Sequence, residues 1–328
     1  MRYQFIEKYR VEFPVRVMCR VLEVSESGYY AARRRQPSVR AQHHQLLTLK
    51  IKAVFFGGYR SYGSPRMFRH LQAQGFRCSR HQVARLMRAA GLQARARHRR
   101  RVTTQSNHNL PVVPNVLERR FNVARPQCVW AGDITYVATA AGWGYLAVVL
   151  DLCSRRVVGW ALGTEVDTDL VLKALNMALG QRALKGRVAP PLLFHSDRGC
   201  QYASRQFASR LALYDITRSM SRRGNCWDNA PVESFFSTLK TEMIQKCSFA
   251  NLDEARHAIF EYIELYYNRQ RIHSSLGYKA PAAFEKELWL AQPVAVPQPT
   301  YEEVMPQRTE ALHNPLPNQQ YLIDSLDH

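Results

Sequence analysis

The chain has 328 residues, 46% of them apolar, and a formal net charge of +20; residues 1–101 hold 23 Lys and Arg against 4 Glu, whereas 102–287 hold 22 basic against 17 acidic and 288–328 hold 1 against 5. Length and apolar content suit two or three domains with a real core, while the absence of any apolar run near the roughly 18 residues of a membrane span, or of a signal-peptide core in Met1–Lys8, predicts a cytoplasmic protein. A first third this basic, with no long amphipathic apolar face, predicts a nucleic-acid partner rather than a membrane surface.

In chain order, residues 13–35 read as two short helices, the first placing Val15, Met18 and Leu22 at helical spacing and the second capped by Ser25. Such a pair is either a small helix-turn-helix or a basic hairpin that packs on a partner. A clearer unit covers 46–93. Leu46 to Phe56 predicts a helix stopped by Gly57-Gly58. Ser64-Pro65 predicts a capped start for a second helix over Arg66–Gln74. Ser79 caps a third over Arg80–Ala90, with Val83, Leu86 and Met87 facing inward and Gly91 ending it. Two short helices around a glycine turn match a helix-turn-helix. The outer face of the second offers Arg80, Gln82, Arg85 and Arg88, side-chain types that read base edges or hold phosphates. The basic run Arg95–Arg101, with Arg99, Arg100 and Arg101 at its end, opens an exposed tether expected to lie along phosphates.

From about 126 the pattern turns to strands. Val129–Thr139, Tyr145–Leu150 and Arg156–Leu162, with turns at Gly142 and Ser154, predict a three-strand meander. A helix from Thr168, a buried strand at Pro191–Phe194, a helix capped by Ser204 and a fifth strand at Ile216–Met220 follow. Three antiparallel strands and then alternating helix and strand is the order of an α/β mixed sheet. A polar loop, Ser221–Asn229, leads to a helix from Pro231 to about Lys246 whose apolar stripe is Val232, Phe235, Phe236, Leu239 and Met243. A last helix is expected over Glu254–Asn268. Residues 288–328, with six prolines, read as a disordered acidic tail. The domains expected are a basic helical segment (1–45), a helix-turn-helix domain (46–102), a linker (103–120), the α/β core (121–286) and the tail (287–328).

Three acids stand out. Asp133 lies within the first strand, Asp197 just past the carboxyl end of the fourth, and Glu233 on the first turn of the helix after the fifth. Carboxylates at strand ends of an α/β sheet sit where ligands bind. Phosphoryl transfer on nucleic acid uses two hard cations, and three carboxylates suffice to hold them: Mg²⁺, with Mn²⁺ as a substitute. The seven cysteines form no Cys-x-x-Cys pair, so structural zinc is not expected. Each acid alone has a plainer role open to it: Asp197 as a turn former, Glu233 as the acid of a capping box. With Pro231 first in the helix the cap would be Ala230, which cannot complete that box. Asp151 is expected to be structural and Asp228 to shape its loop. Lys240, seven residues after Glu233, shares its helix face about 10 Å along the axis and is placed to grip a phosphate.

Trp130-x-x-Asp133-Ile134-Thr135, His195-Ser196-Asp197-Arg198-Gly199-x-Gln201-Tyr202 and Asn225-Cys226-Trp227-Asp228-Asn229-Ala230-Pro231-Val232-Glu233 through Lys240 and Glu242 resemble the acidic-triad (DDE) transposases of bacterial insertion sequences. These share the RNase H-like core of retroviral integrases. The likeness is in particular to the second-reading-frame product of elements whose transposase arises by frameshift fusion. Tyr266-Tyr267-Asn268-x-x-Arg271-x-His273-Ser274-x-Leu276-Gly277-Tyr278-x-x-Pro281 matches that family's end-of-core signature. The resemblance implies that Asp133, Asp197 and Glu233 hold the metal ions. It also implies cleavage at element ends, 3′-OH strand transfer through a circular intermediate, a homo-oligomer on terminal repeats and target DNA, and a partnership with the upstream reading-frame product. One departure from integrases is that His43-His44 and Cys78 do not make the His-His-Cys-Cys zinc module. Two rival readings are a non-catalytic DNA-binding repressor derived from a transposase and a stand-alone RNase H-type nuclease.

Overall fold

Three short helices open the chain: α1 (Arg2–Tyr9), α2 (Val15–Val21) and α3 (Glu26–Arg34). Ile6, Met18, Cys19 and Tyr29 form their small core. The Ser25 hydroxyl accepts from the Gly28 N–H and caps α3 as expected; α1 carries no capping signal and was not predicted. The buried Tyr29 hydroxyl donates to Glu7 at 2.5 Å, and Arg10 and Arg33 pair with the same carboxylate. This computed structural model describes residues 1–94, 111–183, 190–223 and 225–291.

The next three helices are α4 (Val39–Gly57), α5 (Ser64–Ala73) and α6 (Arg80–Ala89). The Ser38 hydroxyl caps α4, so the helix starts well before the expected Leu46 and runs through the anticipated boundary at 45/46. The cap of α5 is Gly63 rather than Ser64: Ser64 is already helical, ahead of Pro65, and no side chain caps this end. Ser79 does cap α6, accepting from the Gln82 N–H. Leu47, Ile51, Phe55, Met67, Leu71, Val83 and Met87 fill the space between the helices.

The central sheet has five strands in the order β3-β2-β1-β4-β5. β1 (Val129–Thr139), β2 (Gly142–Asp151) and β3 (Val157–Gly163) form the predicted antiparallel meander, while β4 (Leu193–Ser196) and β5 (Thr217–Met220) add to β1 in parallel. On one face lie α7 (Thr168–Ala183), α8 (Cys200–Ala203) and α9 (Arg205–Ala212). The approach of α7 is close because Gly159 has no side chain; a Cβ there would meet the Ala174 carbonyl at 2.1 Å. On the other face lie α10 (Ala230–Glu242) and α11 (Leu252–Phe260). The helix expected over Glu254–Asn268 is α11 followed by a π-helical stretch, Glu261–Tyr267, which turns Tyr262, Ile263, Tyr266 and Tyr267 all inward. Likewise α10 ends at Glu242, four residues before Lys246, and a 3₁₀ turn follows. A final helix, α12 (Pro281–Ala291), runs past the anticipated start of the tail at 287. The tail beyond 291 lies outside the described residues.

The described part of the expected linker, 111–120, is not a free tether. Leu117 is buried in the sheet's core, and the Val116 and Leu117 N–H groups donate to Ser219 Oγ on β5. Its apolar residues lead it across the sheet edge.

The helical region also sits on the core through specific contacts. Ile272 and Tyr278 pack into the cluster formed by α4, α5 and α6. The Tyr62 hydroxyl accepts from the Ile272 N–H at 2.9 Å, the Tyr266 hydroxyl donates to the Gly58 carbonyl at 3.0 Å, and Lys246 donates to the Tyr59 carbonyl. Beneath them Arg271, 2% exposed, holds Glu242 through two bonds of 2.8 and 2.7 Å, and Tyr262 donates to the same carboxylate at 2.8 Å. The motif Tyr266–Tyr278 is thus a packing and hydrogen-bonding seam, and much of it serves to seat α4–α6.

Candidate active site

Parallel pairing of β1 with β4 sets Gly132 beside Ser196. Asp133 and Asp197 are the next residues on the two chains, which lie roughly 4.8 Å apart where strands pair. β1 continues past this point while β4 ends, so Asp197 stands just beyond the carboxyl end of β4, beside Asp133. Gly132 is required here: a Cβ would meet the Phe194 ring at 2.7 Å and Tyr202 at 3.3 Å. The Asp133 Oδ1 accepts from the Ile134 N–H (2.8 Å), and the Asp197 Oδ1 accepts from the Gly199 N–H (2.9 Å), which forms a tight turn. Asp197 therefore does shape its turn.

Glu233 is exposed on the first turn of α10. The helix begins at Ala230, one residue earlier than expected, with Asn229 at the cap. The Asn229 side chain makes no capping bond; its amide donates to the Gly132 carbonyl at 3.3 Å and so ties the start of α10 to the strand beside Asp133. Arg198 Nε donates to the Ser221 carbonyl (2.7 Å), and the Ser221 N–H donates to Ser196 (2.9 Å), tying the other end of the same loop to Asp197.

The charges act on one another. Burial, with Asp197 and then Glu233 nearby, pushes the Asp133 carboxyl well above the usual carboxylate range, against the Ile134 N–H and Lys240, which pull it down. Glu233, exposed at its surface but partly shielded by the surrounding protein, is raised by that desolvation and then by Asp197. Burial also raises the Tyr202 phenol, with Asp133 and Asp197 adding to the shift. Three carboxylates, with Lys240 on the same helix as one of them, thus share one patch of negative potential. A divalent cation relieves such a patch.

The donor set fits hard cations: the shared groups are carboxylate oxygens, without thiolate or imidazole. The nearest histidine, His195, is fully buried and held by Ser219 (2.9 Å) and Ser221 (3.2 Å), and burial pushes it down to about 4. Among the described residues no three His, Cys, Asp or Glu side chains are already gathered at metal-binding distance.

Asp151 and Asp228 are structural, as expected. Asp151 is buried, accepts from the Gln127 and Ser154 N–H groups and from the Ser154 hydroxyl, and is raised by burial to about 6. Asp228, also buried, accepts from Arg222, Arg119 and Asn115. Sequence reasoning missed the Asn229–Gly132 and Arg198–Ser221 ties and the Glu242–Arg271 pair. The clustering of polar residues inside the two signature motifs was the available signal.

On α6, Arg80, Arg85 and Arg88 are exposed and Gln82 half-buried. Gln82 and Arg85 line an open cleft of about 940 Å³ with Arg40, His43, His44 and His81. Arg80 and Arg88 lie outside it. Arg99, Arg100 and Arg101 lie outside the described residues.

The chain matches the integrase core domain family over residues 123–226, a second integrase core family over 214–281 and an HTH-like domain family over 42–101. The transposase InsF for insertion sequence IS3A of Escherichia coli K12 is 42% identical over 289 residues, covering 88% of this chain and 99% of that protein. The chain belongs to the IS3-type DDE transposases. A 31 kDa protein of insertion element IS600 from Shigella sonnei is 44% identical over 271 residues, 82% of this chain and 98% of its own. Among solved structures, the HTLV-2 integrase catalytic core domain in complex with magnesium has 19% identity and a TM-score of 0.37, over 49% of this chain and 97% of that one. A simian T-cell lymphotropic virus intasome in complex with PP2A regulatory subunit B56 gamma has 16% identity and a TM-score of 0.41, over 82% and 80%. As an IS3-type transposase the protein is a polynucleotidyl transferase with an integrase-type, RNase H-like core and an N-terminal HTH-like region. Among its described residues no helix is long and apolar enough to cross a membrane.

Proposed function

We propose that this transposase cuts DNA at the ends of its insertion element and joins the freed 3′-OH to a second phosphodiester, with Asp133, Asp197 and Glu233 as the catalytic carboxylates. They would hold two Mg²⁺ ions, or Mn²⁺ in their place; when bound, such ions lower the pKa of a water and neutralise charge on the attacking and leaving oxygens. The first step breaks a P–O bond by water and leaves a 3′-OH and a 5′-phosphate. In the second the 3′-OH oxygen forms a new P–O bond as another strand's 3′ oxygen departs and takes up a proton. Asp133, on the paired strand β1, and Asp197, in the turn after β4, would form one side of the site, with Glu233 approaching from α10. Lys240, two turns along α10, holds a phosphate of the bound strand. Arg80, Gln82, Arg85 and Arg88, with Arg99, Arg100 and Arg101, contact DNA at the terminal repeats. Two ends held at once call for a homo-oligomer on DNA, and the upstream reading-frame product is a candidate fusion partner.

The observation that supports this reading is the β1–β4 register, which brings Asp133 and Asp197 side by side, with Asp197 and Glu233 both acting on the Asp133 carboxyl. The test is cleavage and joining of labelled element-end DNA with Mg²⁺ or Mn²⁺, wild type beside Asp197→Asn. Metal-dependent cleavage and joining by the wild type alone is expected. Binding without cleavage by either protein identifies a repressor instead, and cleavage blind to end sequence identifies a nuclease.

A further inference from the structure

The loop that joins β5 to α10 carries an exposed tryptophan on a fixed mount. Trp227 is 68% exposed, while the residue after it, Asp228, is 0% exposed. Asp228 accepts from the Arg222 N–H (2.9 Å), Nε (3.0 Å) and Nη2 (2.8 Å), from Arg119 Nε (2.8 Å) and from Asn115 Nδ2 (2.9 Å). Arg119 also donates to Asn225 Oδ1 at 2.7 Å. The indole therefore stands on a 3₁₀ turn, Cys226–Asn229, whose Asp228 side chain is held by Arg222, Arg119 and Asn115. Both ends of the loop are tied to the candidate active site, through Ser221 to Ser196 and Arg198 and through Asn229 to Gly132. Two guanidinium groups against one carboxylate leave the mount net positive, and the Arg222 and Arg119 side chains are 55% and 42% exposed.

A solvent-facing indole on a hydrogen-bonded turn, beside cations at a phosphodiester-processing site, has the make-up of a nucleobase platform: the ring stacks on a base while the cations face the backbone. Stacking of this kind is tolerant of sequence, and a base taken out of the duplex exposes the adjacent phosphodiester. The other strongly exposed tryptophan does not compete. Trp143, 62% exposed, pairs with Ala138, five residues along β1 from Asp133 and so about 17 Å away. We propose that Trp227 stacks on an unpaired base of the DNA strand next to the phosphodiester held at Asp133, Asp197 and Glu233. This inference rests on the reading of the site given above.

The test pairs protein and DNA changes. Binding of fluorescent element-end DNA is measured with Ca²⁺ in place of Mg²⁺, so that no strand is cut, on intact DNA and on a series with a single abasic nucleotide at each position around the cleavage point. Trp227→Ala is expected to weaken binding of intact DNA roughly 10–100-fold, Trp227→Phe to restore most of it, and one abasic position to erase the difference between wild type and Trp227→Ala. Equal binding by wild type and Trp227→Ala overturns the proposal. So does a loss that Phe does not restore, or one that persists at every abasic position, since either marks a merely structural role. Cleavage with Mg²⁺ by wild type but not Asp197→Asn, run alongside, reports separately on the carboxylate site.

Discussion

Asp133 shows how much a single position owes to its surroundings. Its carboxyl is raised by burial and by two neighbouring acids, and so binds its proton more tightly in the folded than in the unfolded chain. That contribution favours the fold at low pH and is lost as pH rises from about 4, the ordinary Asp value, through the raised value. Metal-free Asp133→Asn is therefore expected to melt above the wild type at pH 7.5, with the gap closing as pH falls toward 4. Mg²⁺ is expected to raise the wild-type Tm and leave the variant unmoved. Differential scanning across pH, with and without Mg²⁺, checks both. Asp228 behaves in the opposite sense. Its bonds from Arg222 hold its carboxyl below the usual range, so its contribution is present at neutral pH and fades only below about 4. Asp228→Asn is expected to cost about 2–3 kcal/mol in urea unfolding, at or just below the low end for a broken buried pair, because both arginine partners can return to water.

Among elements, α10 carries Glu233 at its start and is anchored at its end by Glu242, paired with Arg271. Arg271→Ala leaves that carboxylate buried without its partner, at a cost of roughly 3–5 kcal/mol. Arg271→Lys is expected to recover little, because a lysine cannot reproduce the two parallel bonds. Chemical denaturation checks this in a cycle of Glu242→Gln, Arg271→Ala and the double Glu242→Gln/Arg271→Ala; a double variant as unstable as the sum of the two singles would deny the pair any coupling. The strands and most helices were legible in the sequence, since alternation, apolar stripes and caps such as Ser25, Ser79 and Ser204 are local signals. Asp133 and Asp197 were legible as strand acids, but their adjacency was not: it follows from β1–β4 register, a pairing across more than sixty residues. The π-helical stretch escaped because tyrosines at Tyr262, Tyr266 and Tyr267 fit an ordinary helical stripe nearly as well. Residues 111–120 read as a tether because they follow the basic run Arg95–Arg101 and a polar stretch, yet Leu117 and Val113 pack on the sheet's two faces and the Val116 and Leu117 N–H groups bond Ser219.

At the scale of the whole molecule, charge and chemistry are divided between regions, with the basic surface on the N-terminal helices and the acids on the sheet. Arg85→Ala is expected to weaken binding to specific and random DNA alike and to lower the slope of log affinity against log salt by about 1, if Arg85 meets a phosphate. Loss confined to the element-end sequence would assign it to base readout instead, and a salt titration separates the two. The HTH-like region is also incomplete without the core, since Ile272 and Tyr278 fill its apolar interior. Ile272→Ala is expected to cost about 2–5 kcal/mol, and limited proteolysis is expected to find the cut sites in α4–α6.

That seam sets an order of events during synthesis. Leu92, the last of the helical cluster's own residues, leaves the ribosome 180 residues before Ile272. At about 5–20 residues per second this is a delay of roughly 10–40 s. For that interval the nascent chain has its basic surface but lacks part of the interior that shapes it. A chain stalled at residue 260 is predicted to bind element-end DNA more weakly than the finished protein, so that grip on DNA matures only once the residues that bring Glu233 into place have also been made. Equal binding by stalled and released chains would show that the surface needs no such completion.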